Sequence, residues 1–216
     1  MTPDKLTRFY DTVAPLYGFW AKATESRGVE LALEVTAIRG GEAVLEVGVG
    51  TGWLFDRLSR STREGKCVGL DLSWGMLRRA QRRLKKKAIT GLLCRADACL
   101  VPFPAHSFDA VLSCYMLDIF SEADIETALN EFRRVTKPGG RMALVVMAKQ
   151  TRLFDRIWMT IYQHAPVLVG GCRPVNLASA LAATGWKIAM DREISQNGFR
   201  SEVILARPSP LESRAA

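Results

Sequence analysis

From residue 43 onward the chain alternates short apolar runs with longer amphipathic stretches. The runs Ala43–Val49, Lys66–Leu72, Leu92–Ala96, Phe108–Tyr115 and Arg141–Ala148 are each rich in Val, Leu or Ile, as parallel strands buried on both faces are. Helices are expected between them at about Gly52–Ser61, Ser73–Ala88 and Glu122–Lys137, the last with Ile125, Leu129, Phe132 and Val135 on one stripe. Pro138-Gly139-Gly140 should end that helix and turn into the next strand. This rhythm predicts an α/β, doubly wound sheet with helices on both faces. After residue 148 it changes to a helix at Thr151–His164, an apolar loop to Val175 and a helix at about Asn176–Thr184. Two strands follow, Lys187–Ile194 and Glu202–Arg207, and the turn Gln196-Asn197-Gly198 makes them an antiparallel C-terminal hairpin. A single domain is expected, with a helical cap at 1–40, a core at 41–148, a lid or substrate insertion at 149–175, and a terminal helix and hairpin at 176–207.

Composition narrows the possibilities. At 216 residues, 48% hydrophobic and 24% charged, the chain reads as globular rather than disordered, collagen-like or disulfide-stapled. Five cysteines with no C-x-x-C spacing, and two histidines, give no disulfide framework and no metal site. The longest uncharged run, Ile157–Cys172, has 16 residues and is broken by His164, Pro166 and Gly170-Gly171. A membrane span needs about 20. The opening MTPDKLTRFYD is charged where a secretory signal is apolar, so a cytoplasmic protein is expected.

The net charge of +8 has one source. Arg78–Lys87 holds seven cations and no acid, leaving 23 cations against 22 acids elsewhere. Leu77, Ala80, Leu84 and Ala88 set an apolar stripe through this segment, so it reads as an amphipathic helix whose other faces carry the charge. Two readings stand beside a merely solvated face. It can dock on anionic lipid headgroups, giving a peripheral membrane contact, or on nucleic acid, which is disfavoured because no aromatics lie beside the cations.

The stretch VLEVGVGTGWLF, Val44–Phe55, carries the chemistry. A strand ends in Glu46, then Gly48, Gly50 and Gly52 alternate before a helix begins. Such a loop lets backbone approach a ligand, and the free amides of the helix start offer donors to an anionic group. The spacing G-x-G-x-G brings the third glycine one residue earlier than the dinucleotide fingerprint. Asp71, at the tip of the next strand, is placed to accept both hydroxyls of a ribose; capping the helix ahead of Ser73 is its structural alternative. Asp97-Ala98, after strand three, is placed to read an adenine edge.

The set VLEVGVGTG, GLDLSWGML, DACLVPFPAHSFDAV and FRRVTKPGGRM resembles the class I S-adenosylmethionine-dependent methyltransferases, particularly the ubiquinone/menaquinone-biosynthesis C-methyltransferases. FYDTVAPLY, residues 9–17, is similar to that group's opening motif, and the loop wording is similar to bacterial phospholipid N-methyltransferases. The resemblance covers residues 9 to about 148. It implies a Rossmann-like sheet of seven strands with a reversed last strand, and S-adenosylmethionine as cofactor. It further implies that Glu46 and Gly48–Gly52 hold the methionine part, Asp71 the ribose, and Asp97 with the Ala98 backbone the adenine, flanked by Leu72 and Met76. Ser113 is counted with these contacts, and Tyr10 and Tyr17 are expected to close over the cofactor. Cys99 departs from the pattern, since many relatives carry an acid there, and the segment after 149 matches no substrate signature of the quinone enzymes.

Methyl transfer from a sulfonium needs alignment and exclusion of water, and a base only where the acceptor starts protonated. Tyr115, Asp118 and His164 are the candidate catalytic residues, each with a plainer role in packing or hydrogen bonding as its alternative. Leu153–Val169 is strongly apolar, consistent with burial against the sheet or with a lid over a greasy acceptor. The expected acceptor is a small or lipid-like molecule, a quinone precursor or a phospholipid amine. A nicotinamide-dependent oxidoreductase and a non-catalytic cofactor-binding partner subunit are the rival functions.

Overall fold

The structure is a computed structural model that describes residues 24–62, 65–149, 151–165 and 169–209. Helix α1 (Ser26–Thr36) leads into β1 (Ala43–Val47), α2 (Trp53–Thr62), β2 (Lys66–Asp71), α3 (Trp74–Lys86), β3 (Leu92–Arg95) and β4 (Phe108–Cys114). A single 3₁₀ turn at Leu117–Ile119 precedes α4 (Glu122–Val135) and β5 (Thr136–Met147). The chain continues through α5 (Arg152–His164) and α6 (Ala178–Ala183) to β6 (Trp186–Gln196) and β7 (Phe199–Pro208).

The strands form one seven-stranded sheet in the order β3-β2-β1-β4-β5-β7-β6, parallel except where β7 runs antiparallel to β5 and β6. Alternation along the strands divides the core between two faces. Leu45, Val47, Val111 and Leu144 meet the α4 stripe Ile125, Leu129 and Phe132 together with Leu177 and Leu181. On the other face Val44, Leu112, Val145 and Val203 meet Val29 and Ala32 of α1, Phe55 and Leu58 of α2, and Ala80 and Leu84 of α3. The expected hairpin is present, and Asn197 (φ 51°) with Gly198 (φ 82°) supplies the two left-handed residues of its tight turn.

Charges fasten the amino end of the sheet. Arg141 pairs with Glu42 at 2.7 Å and donates to the carbonyls of Thr36 and Ala37. Asp109 accepts from the Ala43 amide at 2.9 Å and from Lys137 at 2.8 Å. The carboxyl ends of the strands are left for the cavity described below.

Two expectations change. Pro138-Gly139-Gly140 does not separate α4 from β5 but lies inside β5, as an irregularity between Thr136, paired with Phe108, and Arg141, paired with Ala110. The ladder therefore begins five residues earlier than the apolar pattern indicates, because Thr136 is hydrogen-bonded strand without an aliphatic run. In addition, burial against the sheet, one reading of the apolar run Leu153–Val169, is at most partial on α5: none of its described side chains is fully buried, and Trp158, Met159, Ile161 and Tyr162 are part-buried.

Candidate functional site

A cavity of about 580 Å³ opens at the carboxyl ends of β1, β2, β3 and β4. Its first wall is the loop that follows β1. Gly48 and Val49 both donate backbone N–H to the Leu70 carbonyl, at 2.9 and 3.1 Å, which fixes the loop over the end of β2. Gly48 takes φ +82°, and a Cβ there would meet the Met116 side chain at 2.9 Å, so only glycine fits. The Gly50 amide donates to Asp71 Oδ2 at 2.8 Å.

Asp71 therefore joins the glycine loop to the next crossover: its other oxygen accepts the Ser73 amide at 2.8 Å. Ser73 is itself the cap of α3, accepting the Met76 amide at 3.1 Å. Cap and cavity carboxylate are thus adjacent but distinct residues.

Glu46 is buried at the floor of the cavity, and its Oε2 has no hydrogen-bond partner among the described residues. Burial, with the charge of Asp71 added, pushes its carboxyl well above the ordinary range. An orphaned buried oxygen of this kind calls for a donor or a cation.

Asp97 and Ala98 form the third wall. Asp97 Oδ1 accepts the Cys99 amide at 2.9 Å, and Ala98 is buried. The loop behind them is clamped by Arg134, which donates to the carbonyls of Phe103 and Val101 at 2.7 and 2.8 Å while pairing with Glu131. Leu72 and Met76 supply apolar surface beside it.

Of the residues expected at the site, the structure brings Glu46, Gly48, Gly50, Asp71, Leu72, Met76, Asp97, Ala98 and Tyr115 to this one cavity. Gly52 is not on its wall. It takes φ +77°, and a Cβ added there would stand 2.8 Å from Ala80 Cα, so it is the place where the loop passes against α3. Ser113 is also absent from the wall: it shares the sheet face of Val111, and its neighbour Cys114 lines the cavity instead. Tyr10 and Tyr17 lie outside the described residues.

The catalytic expectations fare differently. Tyr115 lines the cavity, but its hydroxyl is buried against Ser201 Oγ at 2.7 Å and the Glu25 carbonyl at 3.4 Å, and burial pushes its pKa far up. It sits at φ 53° and holds the start of α1 to β7. Asp118 is buried behind the cavity rather than on its wall. One oxygen accepts the Met147 amide at 3.1 Å, the other is unpartnered among the described residues, and burial pushes its carboxyl up to about 7. His164 is exposed on the last turn of α5, its Nδ1 within 2.9 Å of the Thr160 carbonyl, and does not reach the cavity. None of the three presents a free base to the cavity.

Among the lining residues that sequence reasoning did not assign to the site are Tyr162, Ile119, Phe120, Asp124, Glu25 and Ser26. Tyr162 had a signal, its place on the apolar stripe of α5; Ile119 and Phe120 belong to the short turn after β4, and Glu25, Ser26 and Asp124 stand at the starts of α1 and α4, where no apolar periodicity marks them. Cys99 and Cys114 also line the cavity, and burial pushes the Cys99 thiol up to about 11 and that of Cys114 well above its usual value, so both are neutral.

The donor and acceptor set fits S-adenosylmethionine. A buried carboxylate oxygen awaits a cationic or donor group, Asp71 stands at a strand tip, and Leu72, Met76 and Ala98 offer flat apolar surface. Residues 44–140 match the family described as a methyltransferase domain. The demethylmenaquinone methyltransferase of Thermus thermophilus is 32% identical over 164 residues, covering 75% of this chain and 72% of that enzyme. The ubiquinone/menaquinone biosynthesis C-methyltransferase of Teredinibacter turnerae is 30% identical over 147 residues, 66% of this chain, and the chain spans 55% of that protein's length. The solved geranyl diphosphate methyltransferase, in complex with GPP and sinefungin, shares the fold with a TM-score of 0.71 at 16% identity, over 85% of this chain and 78% of that one. None of this supports the nicotinamide-dependent reading. The chain belongs to the class I S-adenosylmethionine-dependent methyltransferases, and S-adenosylmethionine is its methyl donor.

Proposed function

We propose that this enzyme methylates a ring carbon of a quinone precursor that carries an apolar tail. The observation that carries the reading is the mixed chemistry of the cavity lining. We assign the carboxylates Glu46, Asp71 and Asp97 to a polar end for the cofactor, and the apolar and aromatic Met116, Ile119, Phe120 and Tyr162 to an acceptor end. The names of the Thermus and Teredinibacter relatives supply the chemical class of the acceptor.

At the polar end Glu46 and the Gly48–Gly50 backbone hold the methionine portion of the cofactor, Asp71 the ribose, and Asp97 with Ala98 the adenine, between Leu72 and Met76. The cofactor supplies a methyl group on a sulfonium, already activated for in-line displacement. What remains for this chain is to position and to exclude water, worth several kcal/mol and up to ~7–11 kcal/mol in well-aligned systems. Phe120 and Tyr162 face the acceptor, with the Tyr162 hydroxyl as a polar handle for a ring oxygen. Asp71 keeps the glycine loop in register through Gly50, so its carboxylate both binds and shapes. Because none of Tyr115, Asp118 and His164 offers a free base, the ring proton, released as the new carbon–carbon bond forms, passes to a water molecule inside the cavity rather than to one of them.

The test is transfer of labelled methyl from S-adenosylmethionine into a prenylated hydroquinone in detergent, beside phosphatidylethanolamine vesicles and small catechols. Label in the prenylated ring supports the reading. Label in the phospholipid amine, or only in untailed small molecules, overturns it.

A further inference from the structure

Six large apolar side chains are exposed among the described residues, and five of them lie on segments that leave the carboxyl ends of strands, around the cavity mouth. Trp74 (52% exposed) follows β2, Leu100 (75%) follows β3, and Leu153 (66%), Phe154 (38%) and Ile157 (54%) follow β5 on α5. Each group adjoins cavity lining: Ser73 precedes Trp74, Cys99 precedes Leu100, and Tyr162 shares α5 with the last three. The sixth, Leu92, begins the edge strand β3 at the opposite end of the sheet.

Helix α5 is the core of this rim. Leu153, Phe154, Ile157, Trp158, Ile161 and Tyr162 occupy one half of the helix, at spacings of three and four. The helix nevertheless has no buried residue among those described. Its inner edge is held by Trp158, whose Nε1 donates to the Cys172 carbonyl at 2.9 Å and whose ring stacks on Phe154 at 5.3 Å. Its outer edge, Leu153 and Ile157, stays more than half exposed among the described residues. Segment 149–164 carries Lys149, Arg152 and Arg156 against the one acid Asp155. An apolar half with Trp, Phe, Tyr, Leu and Ile beside a polar half of net positive charge is a composition that suits a helix lying in a membrane interface, and the charge, with Lys149 added, complements anionic headgroups.

We infer that α5, with Leu100 and Trp74, docks the cavity mouth on an anionic lipid surface. For delivery of a tailed acceptor this rests on the function proposed above; the docking itself stands on the helix. The apolar edge enters the acyl boundary, Lys149 and Arg156 meet phosphates, and the mouth beside Tyr162 opens to the lipid without passing through water. This places the contact away from the basic run of α3. There Lys87 pairs with Asp56 and Arg83 donates to the Thr51 carbonyl, while the remaining cations lead along the helix toward the amino end of the sheet.

The test is flotation with phosphatidylcholine vesicles containing phosphatidylglycerol, beside pure phosphatidylcholine, for the wild type, Leu153→Glu/Ile157→Glu and Lys85→Glu/Lys86→Glu. The wild type should float with the anionic vesicles, the α5 variant should lose about tenfold or more in partitioning, and the α3 variant should lose much less. Affinity for S-adenosylmethionine, read by calorimetry, should be the same in all three, which shows them folded. No flotation of the wild type, flotation indifferent to the α5 variant, or loss only in the α3 variant overturns the inference. So does a wild-type dimer that the α5 variant turns to monomer without change in flotation, since a second copy would then be what covers the face. A protein that does not float yet methylates a prenylated acceptor in detergent fails the docking and keeps the function; one that floats and methylates no such acceptor does the reverse.

Discussion

Replacing Glu46 by Gln separates the stability of the site from its use, because the two should move in opposite directions. Glu46 is buried, one of its oxygens has no partner among the described residues, and its carboxyl is pushed well up by burial and by Asp71. The folded protein therefore keeps a proton there that the unfolded chain releases above about pH 4.3. With more protons bound in the folded state, stability falls as pH rises from that value toward the raised one, by up to 1.36 kcal/mol for each unit that separates the two. Gln cannot ionise. Wild type and Glu46→Gln should be nearly equal near pH 4 and diverge above it, the variant becoming the more stable toward neutral pH. For a chain of this size each kcal/mol moves the melting point by roughly 2–4 °C, within reach of thermal scans at pH 5 and pH 8. Binding of the cofactor should suffer in the same variant, by about tenfold or more, because its cationic amine loses the carboxylate. Calorimetry in two buffers of different ionisation enthalpy should also show proton release on binding to the wild type and none on binding to the variant. A variant that binds as tightly as wild type, or that melts lower at every pH, refutes this role for Glu46.

Other substitutions test other walls. Asp118→Asn keeps a carbonyl for the Met147 amide but abolishes the titration near 7, so the loss of stability that the wild type shows between about pH 4 and pH 7 should flatten, with little change at pH 4; an unchanged slope in thermal scans would contradict it. Gly50→Ala and Gly52→Ala should part company. Gly50 has nothing within 4 Å of an added Cβ, so beyond about 1–2 kcal/mol of left-handed strain its cost should fall on cofactor affinity, whereas Gly52→Ala strikes the Ala80 backbone and should lower the melting point more. Calorimetry and thermal scans on both variants decide, and equal effects on both readouts would count against the distinction. Tyr115→Phe should cost about 1–2 kcal/mol through the lost contacts to Ser201 and Glu25 yet leave the pH–rate profile in place; a lost limb of that profile would restore Tyr115 as a proton carrier.

The order of strands and helices was legible because each core strand is a short aliphatic run and each crossover helix carries a single stripe, as Ile125, Leu129 and Phe132 do in α4. Strand ends were less so. Thr136–Gly140 belongs to β5 through hydrogen bonds that any sequence can make, and a Pro-Gly-Gly stretch advertises a turn. That these glycines and carboxylates meet at one cavity could be read because residues at strand tips are placed by topology alone. Face is finer than position, however: Ser113 and Cys114 are neighbours, and alternation sends only the second to the cavity. The hydrogen bonding that engages Tyr115 and Asp118 was not legible, for one physical reason. Both stand in the turn after β4, where sequence distance places them near the ligand, but burial and hydrogen bonding to Ser201 and Met147 are tertiary facts that sequence distance does not encode.

The two ends of the cavity are built on different mechanical terms. At the polar end every ligand-facing group is tied to the sheet: the glycine loop through Leu70 and Asp71, the Asp97 turn through Arg134 and Glu131. Changes there disturb buried hydrogen bonds and are felt by the whole fold. The end proposed for the acceptor includes Tyr162 of α5, a helix that buries none of its described residues and is held through Trp158 to the Cys172 carbonyl. Substitution along its outer edge removes little core contact, so on the reading proposed above acceptor choice and surface docking would vary at small cost in stability while the glycine loop stays fixed. That asymmetry is why one stretch of sequence identifies the methyl donor plainly, whereas the identity of the acceptor has to be sought in what α5 faces.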